Sequence, residues 1–240
     1  MFTPSLICLA WPKYPSTGNF GNRGRASNLI FATWEKSHAL QDKFLSIPLT
    51  LFQFSVICGL MLCKGASLEE KGNGMKNVKL KVKGSLFFIL WLFNVLGDYV
   101  SGGVSKRDSG FSRFTLSTFH LEVLTALKKR WYINGSLVLP SFVLREFNIL
   151  MLAVWFMRAG TFHGNQLRIS AGKWSPQDRA LLAEAVSKVL GIETGVSRYY
   201  VVIKDRKAAI VKLLSYIIPS ELHRLGKQIG RASCRERVYG

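Results

Sequence analysis

The strictest constraint on this chain is a short alternation of apolar residues and lysines. In Asn77-Val78-Lys79-Leu80-Lys81-Val82-Lys83, the residues Val78, Leu80 and Val82 fall on one side of an extended strand and the three lysines on the other. Such a segment fits a sheet that is covered on one face and open on the other, with the open face cationic. An apolar run, Leu49 to about Cys63, precedes it and reads as a helix that stops at Gly65, where a residue without a side chain can close a helix and turn the chain. The same order returns from about Leu144. Arg145 to Met157 reads as a second apolar helix closed by Gly160, and the strand Gln166 to Ala171 again splits, with Leu167, Ile169 and Ala171 opposite Gln166, Arg168 and Ser170.

The segments between them complete a repeating α+β pattern. Leu86 to Val95 reads as a buried helix, and a Gly/Ser-rich turn from Ser101 to Ser109 carries Lys106 and Arg107. Ser112 to Thr118 alternates once more, Phe114 and Leu116 against Arg113, Thr115 and Ser117. Leu121 to Trp131 is amphipathic and ends in Lys128-Lys129-Arg130, which suits the negative end of a helix. In the second half Ser175-Pro176 is a helix start, with serine as cap and proline in the first turn, and Leu181 to Leu190 supplies an apolar stripe. Tyr199 to Ile203 reads as a strand, Ala208 to Tyr216 as a helix, and Ile218-Pro219-Ser220 as the opening of a short last one.

Charge narrows the partner. Lysine plus arginine outnumber the acids 33 to 14 in 240 residues, a formal charge of +19 that points to a polyanion. The two longest apolar runs, Leu49 to Leu62 and Leu86 to Leu96, are shorter than the ~18 residues that span a bilayer. No membrane span is expected, and nucleic acid is the favoured partner. Cys8, Cys58, Cys63 and Cys234 form no CxxC pair and do not cluster with His38, His120, His163 or His223, so neither a zinc site nor a disulfide framework is expected.

Both ends differ from the middle. The first 34 residues contain Lys13, Arg23 and Arg25 but no acid, a composition that fits an organelle-targeting presequence or a basic arm lying on nucleic acid; residues 1–45 are set apart on this ground. Residues 229–240, Ile229-Gly-Arg-Ala-Ser-Cys-Arg-Glu-Arg-Val238 and the two that follow, look like the conceptual translation of a sequencing adapter and are excluded from fold reasoning. That tail holds three arginines and one glutamate, so without it the charge falls only from +19 to +17.

The paired helices carry a resemblance. Leu152-Ala153-Val154-Trp155-Phe156-Met157-Arg158-Ala159-Gly160 and, less closely, Val56-Ile57-Cys58-Gly59-Leu60-Met61-Leu62-Cys63-Lys64-Gly65 resemble the two motifs of the LAGLIDADG homing endonucleases. Ile47-Pro48-Leu49-Thr50 before the first motif and Ile217-Ile218-Pro219 with Glu221-Leu222 near the end are similar too, so the resemblance covers about Ser46 to Leu225. It implies two pseudo-symmetric αββαββα repeats, at 46–143 and 144–228, whose antiparallel sheets form a saddle over a nucleic-acid duplex. It also implies that the motif helices pack side by side with Gly59 and Ala153 in their contact. The saddle would be faced by Lys79, Lys81, Lys83, Arg113, Arg168, Arg198 and Lys204, and Lys106, Arg107 and Lys173 are further candidate nucleic-acid contacts.

The chemistry departs from the family. Its members hold divalent metal by one acid at the foot of each motif helix, and the matching positions here are Lys64 and Ala159. Neither side chain ligates a hard cation as a carboxylate does. No catalytic residue, metal site or cofactor is therefore expected, and Lys64 and Arg158 are expected to meet phosphate instead. The leading expectation is a non-catalytic protein bound to structured RNA, rRNA or intron RNA, beside other subunits of a ribonucleoprotein in a mitochondrion or chloroplast. Two alternatives stay open: a site-specific DNA endonuclease with displaced metal ligands, and a DNA-binding pseudo-endonuclease.

Overall fold

The computed structural model describes residues 49–70, 78–102, 104–106, 114–218 and 221. The basic segment 1–45, the tail 229–240, Arg107, Arg113 and the proposed helix start at Pro219-Ser220 lie outside the described residues, as does the side chain of Lys106.

Helix α1 spans Leu51–Met61 and begins at a reciprocal cap: the Thr50 hydroxyl accepts from the Gln53 amide at 3.1 Å, and the Gln53 side-chain carbonyl accepts from the Thr50 amide at 3.1 Å. Such a cap contributes about 1 kcal/mol. From Ser55 onward every residue of α1 is buried, as expected of a helix that is apolar all round. Gly65, at φ +95°, then turns the chain into β1 (Ala66–Glu70), which pairs antiparallel with β2 (Val78–Gly84). Helix α2 (Leu86–Leu96), the short β3 (Ser105–Lys106), β4 (Phe114–Ser117) and α3 (Glu122–Trp131) complete the first unit.

A hairpin, β5 (Tyr132–Ile133) and β6 (Ser136–Leu137), and the one-turn α4 (Ser141–Arg145) lead into the second unit. It repeats the order with α5 (Ile149–Ala159), β7 (Gly160–His163), β8 (Gln166–Ser170), α6 (Pro176–Leu190), β9 (Thr194–Ser197), β10 (Tyr200–Ile203) and α7 (Arg206–Leu213). The two sheets have matching strand orders, β1-β2-β4-β3 and β7-β8-β10-β9, and their pairings are antiparallel.

Helices α1 and α5 pack more extensively against each other than any other pair of elements among the described residues. Gly59 makes this possible, because a β-carbon there would lie 2.7 Å from the Met151 carbonyl oxygen and 2.9 Å from Val154 Cβ. Ala153 is fully buried in α5. Trp131, Phe142, Trp174 and Phe54 form an aromatic chain with ring centres 6.0–6.4 Å apart, tying α3 and α4 to residues of both units.

Two expectations are corrected. Arg145 to Met157 is not one helix: α4 ends at Arg145 and α5 starts only at Ile149, because the Asn148 side chain accepts from the Leu150 and Met151 amides and donates to Ser55 at 3.0 Å. Helix α2 is not buried all round; Phe88, Ile89, Trp91, Leu92 and Leu96 face the core, while Leu86, Phe87 and Leu90 are exposed. Gly160 closes α5 as expected, its amide donating to the Phe156 carbonyl, and its extended backbone begins strand β7. Its lack of a side chain answers a steric demand, since a β-carbon would fall 2.0 Å from Phe156 Cδ2.

Candidate nucleic-acid interface

Strand alternation places the cations of the first sheet. In β2 the residues Val78, Leu80 and Val82 are buried against the helices, and Lys79, Lys81 and Lys83 stand half-buried on the open side. The register aligns Lys81 with Ser67 and Ser117, Lys83 with Thr115, and Lys79 with Glu69. Sequence reasoning missed Glu69 as part of this face; its carboxylate lies 3.4 Å from the Lys81 ammonium and partly neutralises the row. Glu70 instead pairs with Lys128 of α3 at 2.8 Å.

The open side of the second sheet carries fewer charges. Arg168 stands there, its guanidinium held by the Gln166 side chain at 3.1 and 3.4 Å. Opposite Arg168 in the register is Val202, and opposite Ser170 is Tyr200. Neither Arg198 nor Lys204 lies on a strand: Arg198 is in the β9–β10 turn, 4.9 Å above the Tyr199 ring centre, and Lys204 follows β10 and pairs with Glu193.

The feet of α1 and α5 meet between the sheets. The last carbonyls of a helix lack partners within it, and here residues of the second unit supply them. The Lys173 ammonium donates to the Cys63 carbonyl at 2.8 Å and to that of Met61, and Trp174 Nε1 donates to Leu62 at 3.3 Å. Arg158 crosses the other way, donating to the Lys83 carbonyl with its guanidinium 4.8 Å from the Phe88 ring centre. Gly84 leaves room for it, since a β-carbon there would lie 3.1 Å from Arg158 Nη1. Lys64 is exposed and Ala159 half-buried.

Burial, assisted by the Lys64 charge, pulls the Lys173 ammonium down to about 8, and burial pushes the Cys63 thiol up to about 12. From pH 8 to the ordinary lysine value of 10.5, the unfolded chain holds a proton that folded Lys173 has released, so this contribution makes folding more favourable as pH rises. Measured against Lys173→Met, the unfolding free energy in urea is expected to climb by about 3 kcal/mol across that window. Parallel pH curves for the two proteins would place the ammonium in water and defeat the assignment.

The model of the LAGLIDADG DNA endonuclease family matches residues 54–206, both motif helices and both sheets included. The chain belongs to this family. A cytochrome b mRNA maturase, bI2, from Debaryomyces hansenii is 25% identical over 198 residues, with 75% of each chain covered. Among solved structures, the homing endonuclease I-WcaI bound to its DNA recognition sequence superimposes with a TM-score of 0.66 over 88% of this chain and 95% of its own, at 13% identity. The twofold-repeated α+β architecture is therefore the LAGLIDADG fold.

A divalent ion such as magnesium needs carboxylates and other hard oxygens. Where the resemblance leads one to expect the family's acids, Lys64 offers an ammonium and Ala159 a methyl group, while the carbonyls at the end of α1 already accept from Lys173 and Trp174. This donor set does not fit a divalent cation. Among the described residues no group of three or more His, Cys, Asp and Glu side chains could hold one, and no helix is long and apolar enough to cross a membrane.

Proposed function

We propose that this LAGLIDADG protein is a non-catalytic RNA-binding component of an organellar ribonucleoprotein, a splicing cofactor of the maturase kind. The observation that carries the reading is the charge at the helix feet. Lys64 and Ala159 stand where the LAGLIDADG resemblance expects acids, while Lys79, Lys81, Lys83 and Arg168 keep the open sheet faces cationic. Cations without a metal can bind phosphate but cannot position water for its hydrolysis in the way metal does. The repeats 46–143 and 144–228 act in this reading as the two arms of one saddle, with Lys64, Lys106, Arg107, Arg113, Arg198 and Lys204 as further phosphate contacts. Lys173 and Arg158 serve it indirectly, by holding the two arms together.

Similarity to a cytochrome b mRNA maturase supports mRNA over rRNA as the target and the mitochondrion over the chloroplast. Incubating the full chain with duplex DNA and with structured intron RNA, each with and without magnesium, tests the reading. RNA is expected to be bound and left intact, and its splicing promoted. Magnesium-dependent cutting of a DNA duplex would mean that a displaced metal site persists. Tighter binding to duplex DNA than to RNA at matched salt, without cutting, would make the chain a DNA-binding pseudo-endonuclease.

A further inference from the structure

The two open sheet faces differ in kind. The first presents Lys79, Lys81 and Lys83, with hydroxyls and one carboxylate between them. On the second, β10 presents an apolar pair: Tyr200 and Val202 stand two positions apart on its open side, half-buried, while Val201 and Ile203, which alternate with them, point into the core. Two positions along a strand separate the side chains by about 6–7 Å, so ring and branched side chain form one continuous platform. Ser170 and Ser197 lie opposite Tyr200 on the flanking strands, and Arg168 and Gly195 lie opposite Val202. A β-carbon at Gly195 would have nothing within 4 Å, so the platform opens onto empty space on that side.

A phosphate gains nothing from an aromatic ring and an isopropyl group, but the flat face of a nucleobase does. In a paired helix both faces of each base are covered by its neighbours, and a groove exposes only edges. An aromatic ring can stack only on a base that has left the helix, as in a bulge or loop of structured RNA. The hydroxyls of Ser170 and Ser197 stand where they can bond the polar edge of such a base.

We propose that the Tyr200–Val202 platform of β10 seats one unstacked nucleobase of a structured RNA, while the lysine row of β2 holds backbone phosphates. Grip and recognition are thereby divided between the two sheets. This rests on the RNA-binding reading above and names the feature of the RNA that the second sheet selects.

The test compares the full chain binding an RNA hairpin with a single-nucleotide bulge and the same hairpin fully paired, over a range of salt, with 2-aminopurine as the bulged base. Wild type is expected to prefer the bulged RNA and to quench its fluorescence. Tyr200→Ala should weaken binding to the bulged hairpin about tenfold, abolish the quenching, and leave both the paired hairpin and the salt dependence unchanged. Tyr200→Phe, which keeps the ring, should retain wild-type preference and guards against a simple folding defect. An unchanged ratio of bulged to paired affinity in Tyr200→Ala overturns the platform while leaving RNA binding by the first sheet intact. Preference for duplex DNA through a thymine methyl against Val202 also overturns it. Absence of salt-dependent binding to any RNA overturns the parent reading, and the platform with it.

Discussion

Gly59→Val is expected to destabilise the protein by about 3 kcal/mol or more. A β-carbon at this position would sit 2.7 Å from the Met151 carbonyl oxygen and 2.9 Å from Val154 Cβ. The first obstacle is backbone in the first turn of α5, so the helices must separate rather than a side chain step aside. Overpacking a rigid core costs up to about 3 kcal/mol, and forcing apart two helices that are buried against each other lies at or beyond that end. Against a total stability of about 5–15 kcal/mol for a domain, this is a large share. Gly195→Ala is the control: it lies in a strand, has no positive φ and would meet nothing within 4 Å. Urea unfolding should show the valine variant's midpoint moved to much lower urea and the alanine variant shifting by less than about 0.5 kcal/mol. Equal midpoints for both would mean that α1 and α5 are not in contact.

The second large effect concerns binding. Lys79, Lys81 and Lys83 project from one side of β2 at intervals of about 6–7 Å, a spacing that lets three ammonium groups follow one phosphate backbone. Replacing all three by glutamine keeps length and polarity and removes only charge. Each phosphate contact contributes about 0.7–0.9 to the slope of log affinity against log salt. The triple variant is expected to lose up to about three contacts' worth of slope and on the order of a hundredfold in affinity for RNA near physiological salt. The Glu69 carboxylate beside Lys81 argues for the lower end of that range, and Glu69→Gln should move affinity in the opposite direction. A salt slope identical to wild type in the triple variant would shift the binding surface away from the first sheet.

What was legible in the sequence was what depends on short range. The lysine alternation of β2 and the split of β8 need only a two-residue period, and the buried motif helices need only a continuous apolar run. A strand leaving α1 through Glu69 and Glu70 was expected, but its bounds, Ala66–Glu70, carry no alternation to read, because the strand has a single buried apolar residue, Leu68, and owes its extension to pairing with β2. The β5–β6 hairpin left a signal that went unused: Asn134-Gly135, both with positive φ, is a favoured two-residue turn. Asn148 was a second one, a capping residue directly ahead of an apolar run.

The candidate interface was half legible on the same grounds. Periodicity put Lys79, Lys81, Lys83 and Arg168 on open faces. No local pattern could place Glu69 among the lysines, because the register between β1 and β2 is a property of the pair. Nor could any pattern reveal that Lys173 and Arg158 spend their charges on carbonyls of the other unit, 110 and 75 residues away in sequence.

That distance has a consequence during synthesis. Helix α1 leaves the ribosome long before Lys173 and Trp174 exist to cover its last carbonyls, and before α5 exists to cover its apolar surface. At roughly 5–20 residues per second, 110 residues take between about 5 and 20 seconds. Throughout that interval the nascent chain carries a helix that is apolar on every side, with neither its neighbour nor its cap. The N-terminal unit therefore waits for the C-terminal one, and this protein has to be shielded from aggregation until nearly its whole length has been made.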